Sequence, residues 1–586
     1  MMPQAVSNLQ EGQNDLLSLG QAFQDRCRQF APRIAHNVPI DKERRDFTYT
    51  DLYERVFRYA GALWDLGLRR GDKVCLFSEN CYEWGLVDWA CQTLGLVLVP
   101  VYPTLPAEQA QFIAEDCGAK IFICGSETHQ GRVEKAITIR KIQLKDGHDS
   151  IDHLSQSPSL SREAWEAEIA AGKPDELATI IYTSGTTGNP KGAMLDGRAF
   201  VWLSRAVRTS LPIDENDVFL GWLPMAHVYE RFAGHILPTL CGAKICYARS
   251  LATLADDMAT CKPTIMLIVP RFLESMRDRI LDGVKKAPPM RQKLFHAMLS
   301  AGTAKLHGKS PLLHGLLDKL VGTKIRERTG GRLKFFVSGG SALPMHIYEF
   351  FGAFGLPVMQ GYGLTETCAA SSFNEPGRNK PETVGIPVQG IQFKIEADGE
   401  ICIKAPSVMR GYFNQPEATA AAIDDDGWFH TGDIGVWVGE HVKITDRKKD
   451  ILVLANGKNV APQPIENKLR ESEWISEAVL LGDNQTYVGA LIVPDFDRLS
   501  KYCKEHGIKL ENPEDAIDHE PIKQLIKADI DKTNKTLADF EKVKRFELIH
   551  ARFSIETGEL TPSLKVKRKV VKAKFEDAIK RLFKES

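Results

Sequence analysis

An apolar run, Leu177–Tyr182, leads straight into Tyr182-Thr-Ser-Gly-Thr-Thr-Gly-Asn-Pro-Lys-Gly192. Residue types of this kind at this density suit one task, the holding of phosphate oxygens. Gly185 and Gly188 let backbone N–H groups approach an anion closely. Ser184, Thr186 and Thr187 add hydroxyl donors after Thr183, and Lys191 adds a point charge. The loop is not a Walker A motif, because Pro190 stands where that motif requires Gly-Lys-Ser/Thr.

Further segments carry groups with matching chemistry. Gln360-Gly-Tyr-Gly-Leu-Thr-Glu366 offers an aromatic face at Tyr362, suited to a base, and a carboxylate at Glu366, suited to a hard cation that keeps its waters. Ser338-Gly-Gly-Ser-Ala-Leu-Pro344 follows the apolar run Leu333–Val337. Trp428-Phe-His-Thr-Gly-Asp433 ends on a carboxylate able to accept both hydroxyls of a diol, although a lone aspartate there reads as a turn residue. Leu223-Pro-Met-Ala-His-Val-Tyr-Glu-Arg231 and Val269-Pro-Arg271 precede the Tyr362 segment. The charge run Asp446–Asp450, the turn Ala455-Asn-Gly-Lys458 and the lysine-rich Leu560-Thr-Pro-Ser-Leu-Lys-Val-Lys-Arg568 follow it.

Taken in order, from about Thr48 to about Lys572, these segments resemble the adenylate-forming superfamily of acyl-CoA synthetases, peptide-synthetase adenylation domains and firefly-type luciferases. The resemblance implies a role for each residue. Thr183, Ser184, Gly185, Thr186, Thr187, Gly188 and Lys191 form the phosphate loop. Gly339 and Gly340 belong to the adenine-side loop, Tyr362 and Gly363 to the segment that packs on adenine. Thr365 contacts the α-phosphate, Glu366 holds Mg²⁺, and Asp433 with Arg447 holds the ribose. His227 positions the substrate carboxylate, a buried structural histidine being the alternative. Arg231 stands where several fatty-acid enzymes of this kind carry an aromatic gate, and is a departure from them. Lys449 is the hinge, Gly457 lies beside the pantetheine path, and Lys565 is the catalytic lysine. Lys567 competes for that last role, because Leu564 replaces the usual glycine.

Within the superfamily the chain looks most like the long-chain fatty acyl-CoA synthetases. The expected reaction joins ATP, a fatty acid and CoA into acyl-CoA, AMP and pyrophosphate through an acyl-adenylate with Mg²⁺. Two rivals stand beside it: a ligase that hands its acyl group to a carrier-protein phosphopantetheine, and a non-catalytic lipid-binding scaffold on the same fold.

The elements that must position these groups are legible too. At 586 residues the chain needs two or more domains. Val74–Phe77, Leu98–Tyr102, Ile121–Cys124, Ala178–Tyr182, Ile265–Val269 and Leu333–Val337 read as buried strands between helical stretches, as in layered α/β domains. Gly385–Val388, Phe393–Glu396 and Glu400–Lys404 read as a small β-subdomain. The expected fold is therefore α/β: a large N-terminal domain, 1–446, of layered αβα subdomains plus that β-subdomain, and a small mobile α+β C-terminal domain, 447–586. The most apolar stretch, Trp84–Tyr102, carries Asp88 and Gln92 and reads as a buried helix and strand, not a membrane span. A helical insertion over about 281–332 is basic, with ten Lys or Arg against two acids between Lys285 and Arg328. It reads as a solvated basic face, or as a surface for anionic lipid.

A net charge of −1 excludes a global attraction to nucleic acid, so any basic partner site is local. Twelve cysteines without paired spacing argue against a zinc site or a disulfide scaffold. The N-terminus shows no signal peptide, and the expected location is cytoplasmic, compatible with peripheral contact at the inner face of a membrane. A homodimer is left open.

Overall fold

The computed structural model describes residues 17–41, 43–145, 147, 150–183, 190–554, 557–560 and 566–584. Among these, a six-stranded sheet runs, in spatial order, Arg140–Gln143, Ile121–Cys124, Lys73–Phe77, Val97–Val101, Leu177–Thr183 and Lys191–Asp196; only the last strand is antiparallel to its neighbour. A nine-stranded sheet has the parallel strands Val358–Tyr362, Phe335–Ser338, Ile265–Ile268, Val218–Gly221, Lys244–Tyr247 and Ile34–Ile40 at its centre. Short antiparallel strands close its two edges.

Alternation along the strands distributes side chains between cores. Val74 and Leu76 enter a central core, while Cys75 and Phe77 face an outer one. Phe219 enters the same central core, while Val218 and Leu220 face a second outer one. The central core is shared by both sheets and by the helices Leu19–Gln29, Tyr49–Asp65, Tyr82–Leu94 and Gly197–Arg208. Burial on both faces is why the parallel strands read as unbroken apolar runs rather than alternating ones.

The β-subdomain is a four-stranded antiparallel sheet of Gln392–Ile395, Glu400–Lys404, Phe429–Val438 and His441–Arg447. Beyond it, Ile475–Leu481, Val488–Pro494 and Val543–Leu548 form a three-stranded sheet with its own two apolar cores. The basic insertion is helical as expected: Pro289–Leu306 and His314–Leu317, then a π-helical turn Asp318–Gly322, then Thr323–Glu327.

The apolar stretch at Trp84–Tyr102 is a helix, Tyr82–Leu94, and a strand, Val97–Val101. No helix among the described residues is long and apolar enough to cross a membrane. Asp88 and Gln92, which break the run, meet a partner. The Arg231 guanidinium is 0% exposed and donates from Nε and Nη2 to the two Asp88 oxygens, 2.7 Å each, and from Nη1 to Thr179 Oγ1 at 2.7 Å. Gln92 donates to Asp88 Oδ1 at 3.0 Å. His235 lies 3.8 Å from Asp88, and burial pushes its imidazole down to about 4, so it is neutral at pH 7.

Arg231 is therefore held on every side of its guanidinium. It is a buried fastener between the first helical turn after His227, the helix Tyr82–Leu94 and the strand Leu177–Thr183. Cutting one side of such a pair strands a charge. Arg231→Met should cost about 3–5 kcal/mol of stability, and the double change Asp88→Leu/Arg231→Met should recover most of it. Urea unfolding of the two variants checks this.

Candidate active site

Three segments far apart in sequence converge at the end of the nine-stranded sheet. Tyr362 closes the strand Val358–Tyr362, Asp433 lies in the strand Phe429–Val438, and Arg447 ends the strand His441–Arg447 directly opposite Asp433. The Tyr362 hydroxyl donates to Asp433 Oδ2 at 2.7 Å, and Arg447 Nε lies 3.1 Å from Oδ1. Burial, followed by the Asp433 charge, pushes the Tyr362 phenol well up, so it stays protonated and able to donate. A carboxylate fixed from both sides, beside an aromatic ring, can accept hydroxyls from a ligand without reorganising.

Next to it, Glu366 sits in the short helix Thr365–Thr367. Its Oε1 accepts from the Tyr412 hydroxyl at 2.8 Å, and Lys191 Nζ lies 5.1 Å from the centre of the Tyr412 ring. The turn under Glu366 is tightly determined. Cys368 and Ala369 adopt φ of +60° and +83°, conformations unfavourable for non-glycine residues. Thr367 Oγ1 holds them by accepting from the Leu364 N–H and the Ser371 hydroxyl. Gly363 is required there, because a Cβ would stand 1.9 Å from the Ala369 carbonyl oxygen. Thr365 opens the turn.

The strands that flank the phosphate-loop segment pair with each other. Leu177–Thr183 pairs antiparallel with Lys191–Asp196, and Thr183 faces Lys191. That second strand is absent from the reading of the sequence, which treats Lys191 as part of a loop. Ser184, Gly185, Thr186, Thr187 and Gly188 lie outside the described residues, as does Lys565. Lys567 immediately precedes the helix Arg568–Lys574.

His227 caps the helical turn Val228–Glu230, its Nδ1 accepting from the Tyr229 N–H at 3.1 Å. Nδ1 is then an acceptor, which leaves Nε2 as the protonated nitrogen. The Tyr229 hydroxyl donates to the Val337 carbonyl at 2.8 Å, and its ring covers Gly339, with Gly340 beside Val269. His227 and the Ser338–Gly340 loop are thus neighbours through Tyr229.

Lys449 lies close enough to Asp433 and Glu366 to feel both charges. Burial pulls its ammonium down, helped by Arg447, and Asp450, Asp433 and Glu366 oppose. Gly457, with φ of +77°, turns the hairpin between Leu452–Val453 and Asn459–Val460 and has open space where a Cβ would stand.

Sequence reasoning missed three groups. Tyr412 meets Glu366 from a loop 46 residues away, and only an aromatic after Arg410-Gly411 hints at it. Arg271 reaches across to the three-stranded sheet: its Nη1 lies 2.5 Å from Glu477, beyond the β-subdomain. Arg470 and Arg498 reach back to Glu274 and Asp278 on the same helix, Pro270–Lys285. The third is Asp446, which accepts from the Arg447 N–H at 2.6 Å.

No three His, Cys, Asp or Glu side chains come together to hold a metal among the described residues. A single half-buried carboxylate at Glu366 fits Mg²⁺ arriving with phosphate oxygens, since that ion takes one or two protein carboxylates and keeps its waters.

Paired α/β sheets, a β-subdomain and a separate small sheet domain define the adenylate-forming fold. The chain overlays the ATP-bound MatB of Rhodopseudomonas palustris with a TM-score of 0.72 at 22% identity, covering 95% of this chain and 99% of that one. The model of the AMP-binding enzyme family matches residues 23–413, and that of the AMP-binding enzyme C-terminal domain matches residues 449–586. The chain belongs to this family. It is 33% identical to the long-chain-fatty-acid–CoA ligase FadD15 of Mycobacterium bovis over 93% of both chains. It is also 33% identical to the peroxisomal long chain acyl-CoA synthetase 6 of Arabidopsis thaliana, over 89% of this chain and 79% of that protein.

Asp446 links the site to pH. Burial raises its carboxyl from 3.8 to about 6, against the bonds from Arg447 and Gln463. The folded chain therefore keeps a proton that the unfolded chain releases between pH of roughly 4 and 6, so stability from this group is present below that window and lost as pH rises through it. Asp446→Asn should flatten the pH dependence of the thermal midpoint between about pH 4 and 6.

Proposed function

We propose that the protein is a long-chain fatty acid–CoA ligase that works through an acyl-adenylate. The observation that carries this reading is the convergence of Tyr362, Asp433 and Arg447 with Glu366, Tyr412 and Lys191. In it, Tyr362 stacks on adenine and Asp433 accepts the ribose hydroxyls while Arg447 holds its other side. Lys191, Thr186 and the loop N–H groups bind the phosphates, and Thr365 takes the α-phosphate. The long-chain preference is supported by the curated relatives, which are named for that class of acid.

A carboxylate is a poor electrophile, so the acid must first be activated. Its oxygen attacks the α-phosphorus of ATP, the bond to the β-phosphate oxygen breaks, and pyrophosphate leaves. His227 orients the carboxylate, and Lys565 bridges it to the phosphate as negative charge builds. Mg²⁺ held by Glu366 supplies further charge neutralisation when bound. In the second half-reaction the thiol sulfur of CoA attacks the acyl carbon, the mixed anhydride breaks, and AMP leaves.

Lys565 and the thiol path past Gly457 belong to the segment 447–586, and the two half-reactions need that segment in different positions. Rotation about Lys449 is the proposed means. The enzyme's proposed location is the cytoplasm, which is compatible with peripheral contact at the inner face of a membrane.

Acyl-CoA formation measured across acids of increasing length tests the reading. The expected result is a peak on long chains that depends on CoA. Adenylate that forms but never passes to free CoA would redirect the assignment to a carrier-protein acceptor. Lys565→Ala should lose adenylation by at least about 100-fold while still consuming supplied acyl-adenylate with CoA. Lys449→Pro should slow thioester formation more than adenylation, and equal slowing of both would remove the hinge role.

A further inference from the structure

The basic insertion presents an apolar patch to solvent. Leu312, Leu313, Leu316 and Leu320 are exposed to 102%, 64%, 59% and 46%. Leu313, Leu316 and Leu320 follow the i, i+3, i+7 spacing of one helix face, running through His314–Leu317 into the π-helical turn Asp318–Gly322. Leu317 and Val321, on the opposite side, pack into the core beneath together with Met298 and Phe351. The segment is thus held by one face and leaves four leucines uncovered. Scattered surface leucines are ordinary, but four together at one end of a fold are not.

The charge around the patch says what covers it. Lys305, Lys309, Lys319, Lys324 and Arg328 are all exposed, and none forms an ion pair among the described residues. Of the two acids in this stretch, Asp318 is taken up by Arg326 at 2.7 Å, and Lys305 and His314 lie near enough to lower its carboxyl further. Glu327 is the other. A second copy of this chain would bring the same positive charge against it, so the patch is badly matched to self-association. An anionic lipid surface satisfies both features: headgroup charge meets the lysines while the leucines enter the acyl boundary.

We propose that the turn Leu312–Leu320 and its surrounding lysines form a docking surface for an anionic bilayer. The leucines enter to the depth of the headgroup boundary, and Lys305, Lys309, Lys319 and Lys324 read the surface charge. This inference stands apart from the chain-length assignment, since it concerns binding without substrate.

Flotation of the purified full chain with phosphatidylcholine vesicles, with and without about 30 mol% phosphatidylglycerol, tests it. The expected result is binding to the anionic vesicles, weak binding to the neutral ones, and loss of binding in about 1 M salt, where the Debye length is near 3 Å. Replacing Leu312, Leu313, Leu316 and Leu320 together by Ser should weaken partitioning by at least about tenfold, with the rate on a short, water-soluble acid unchanged. Lys305→Glu, Lys309→Glu, Lys319→Glu and Lys324→Glu together should abolish the preference for anionic vesicles, a readout that survives even if the leucine variant folds poorly. Wild-type protein that ignores anionic vesicles, or leucine and lysine variants that bind as wild type does, would overturn the proposal. So would a dimer in sedimentation velocity that the leucine changes convert to monomer while vesicle binding persists.

Discussion

Asp433 is a buried carboxylate whose two oxygens are divided between Tyr362 and Arg447, and the rest of the site is arranged around that constraint. A buried charge is tolerated only when it is paired and hydrogen-bonded. Its partners come from two different sheets, so satisfying it locks the β-subdomain onto the end of the nine-stranded sheet. The lock fixes Tyr362, and through the tight Gly363–Ala369 turn it also fixes Glu366. The Tyr412–Glu366 bond then brings in the strand that carries Lys191.

The same device recurs inside the large domain. Asp88, Arg231, Thr179 and Gln92 form a closed polar set in a region that is otherwise apolar. It joins the segment carrying His227 to the strand that leads into the phosphate loop. In both clusters a buried pair gives back in desolvation much of what it gains. The contacts of Arg271 and Arg498 with Glu477 and Asp278 differ in kind. Their arginines are partly exposed, and they link the helix Pro270–Lys285 to the segment 447–586.

Much of this was legible in the residues. Parallel strands buried on both faces are continuous apolar runs, so Ile121–Cys124 and Ile265–Val269 could be read almost to the residue. The run broken by Asp88, Gln92 and Gly95 is a buried helix and a buried strand, as its residues suggest. The strand Lys191–Asp196 was hidden because its first residue also reads as the end of a loop. Tyr412, and the partners of Arg231 and Arg271, were hidden for a different reason. Each lies across a long loop closure, and no local periodicity records which distant carboxylate or hydroxyl a side chain will meet. Arg231 shows the cost: its place in a motif marked only a departure from an aromatic residue, and its burial against Asp88 identified a fastener.

The central claim is that this constellation binds ATP so that a carboxylate can attack the α-phosphorus. Exchange of labelled pyrophosphate into ATP, driven by a fatty acid in the absence of any thiol, tests it most directly. The account predicts exchange that requires both the acid and Mg²⁺ and that falls by at least about 100-fold in Asp433→Ala, as ribose positioning is lost. Exchange without added acid, or exchange undiminished in that variant, would contradict it.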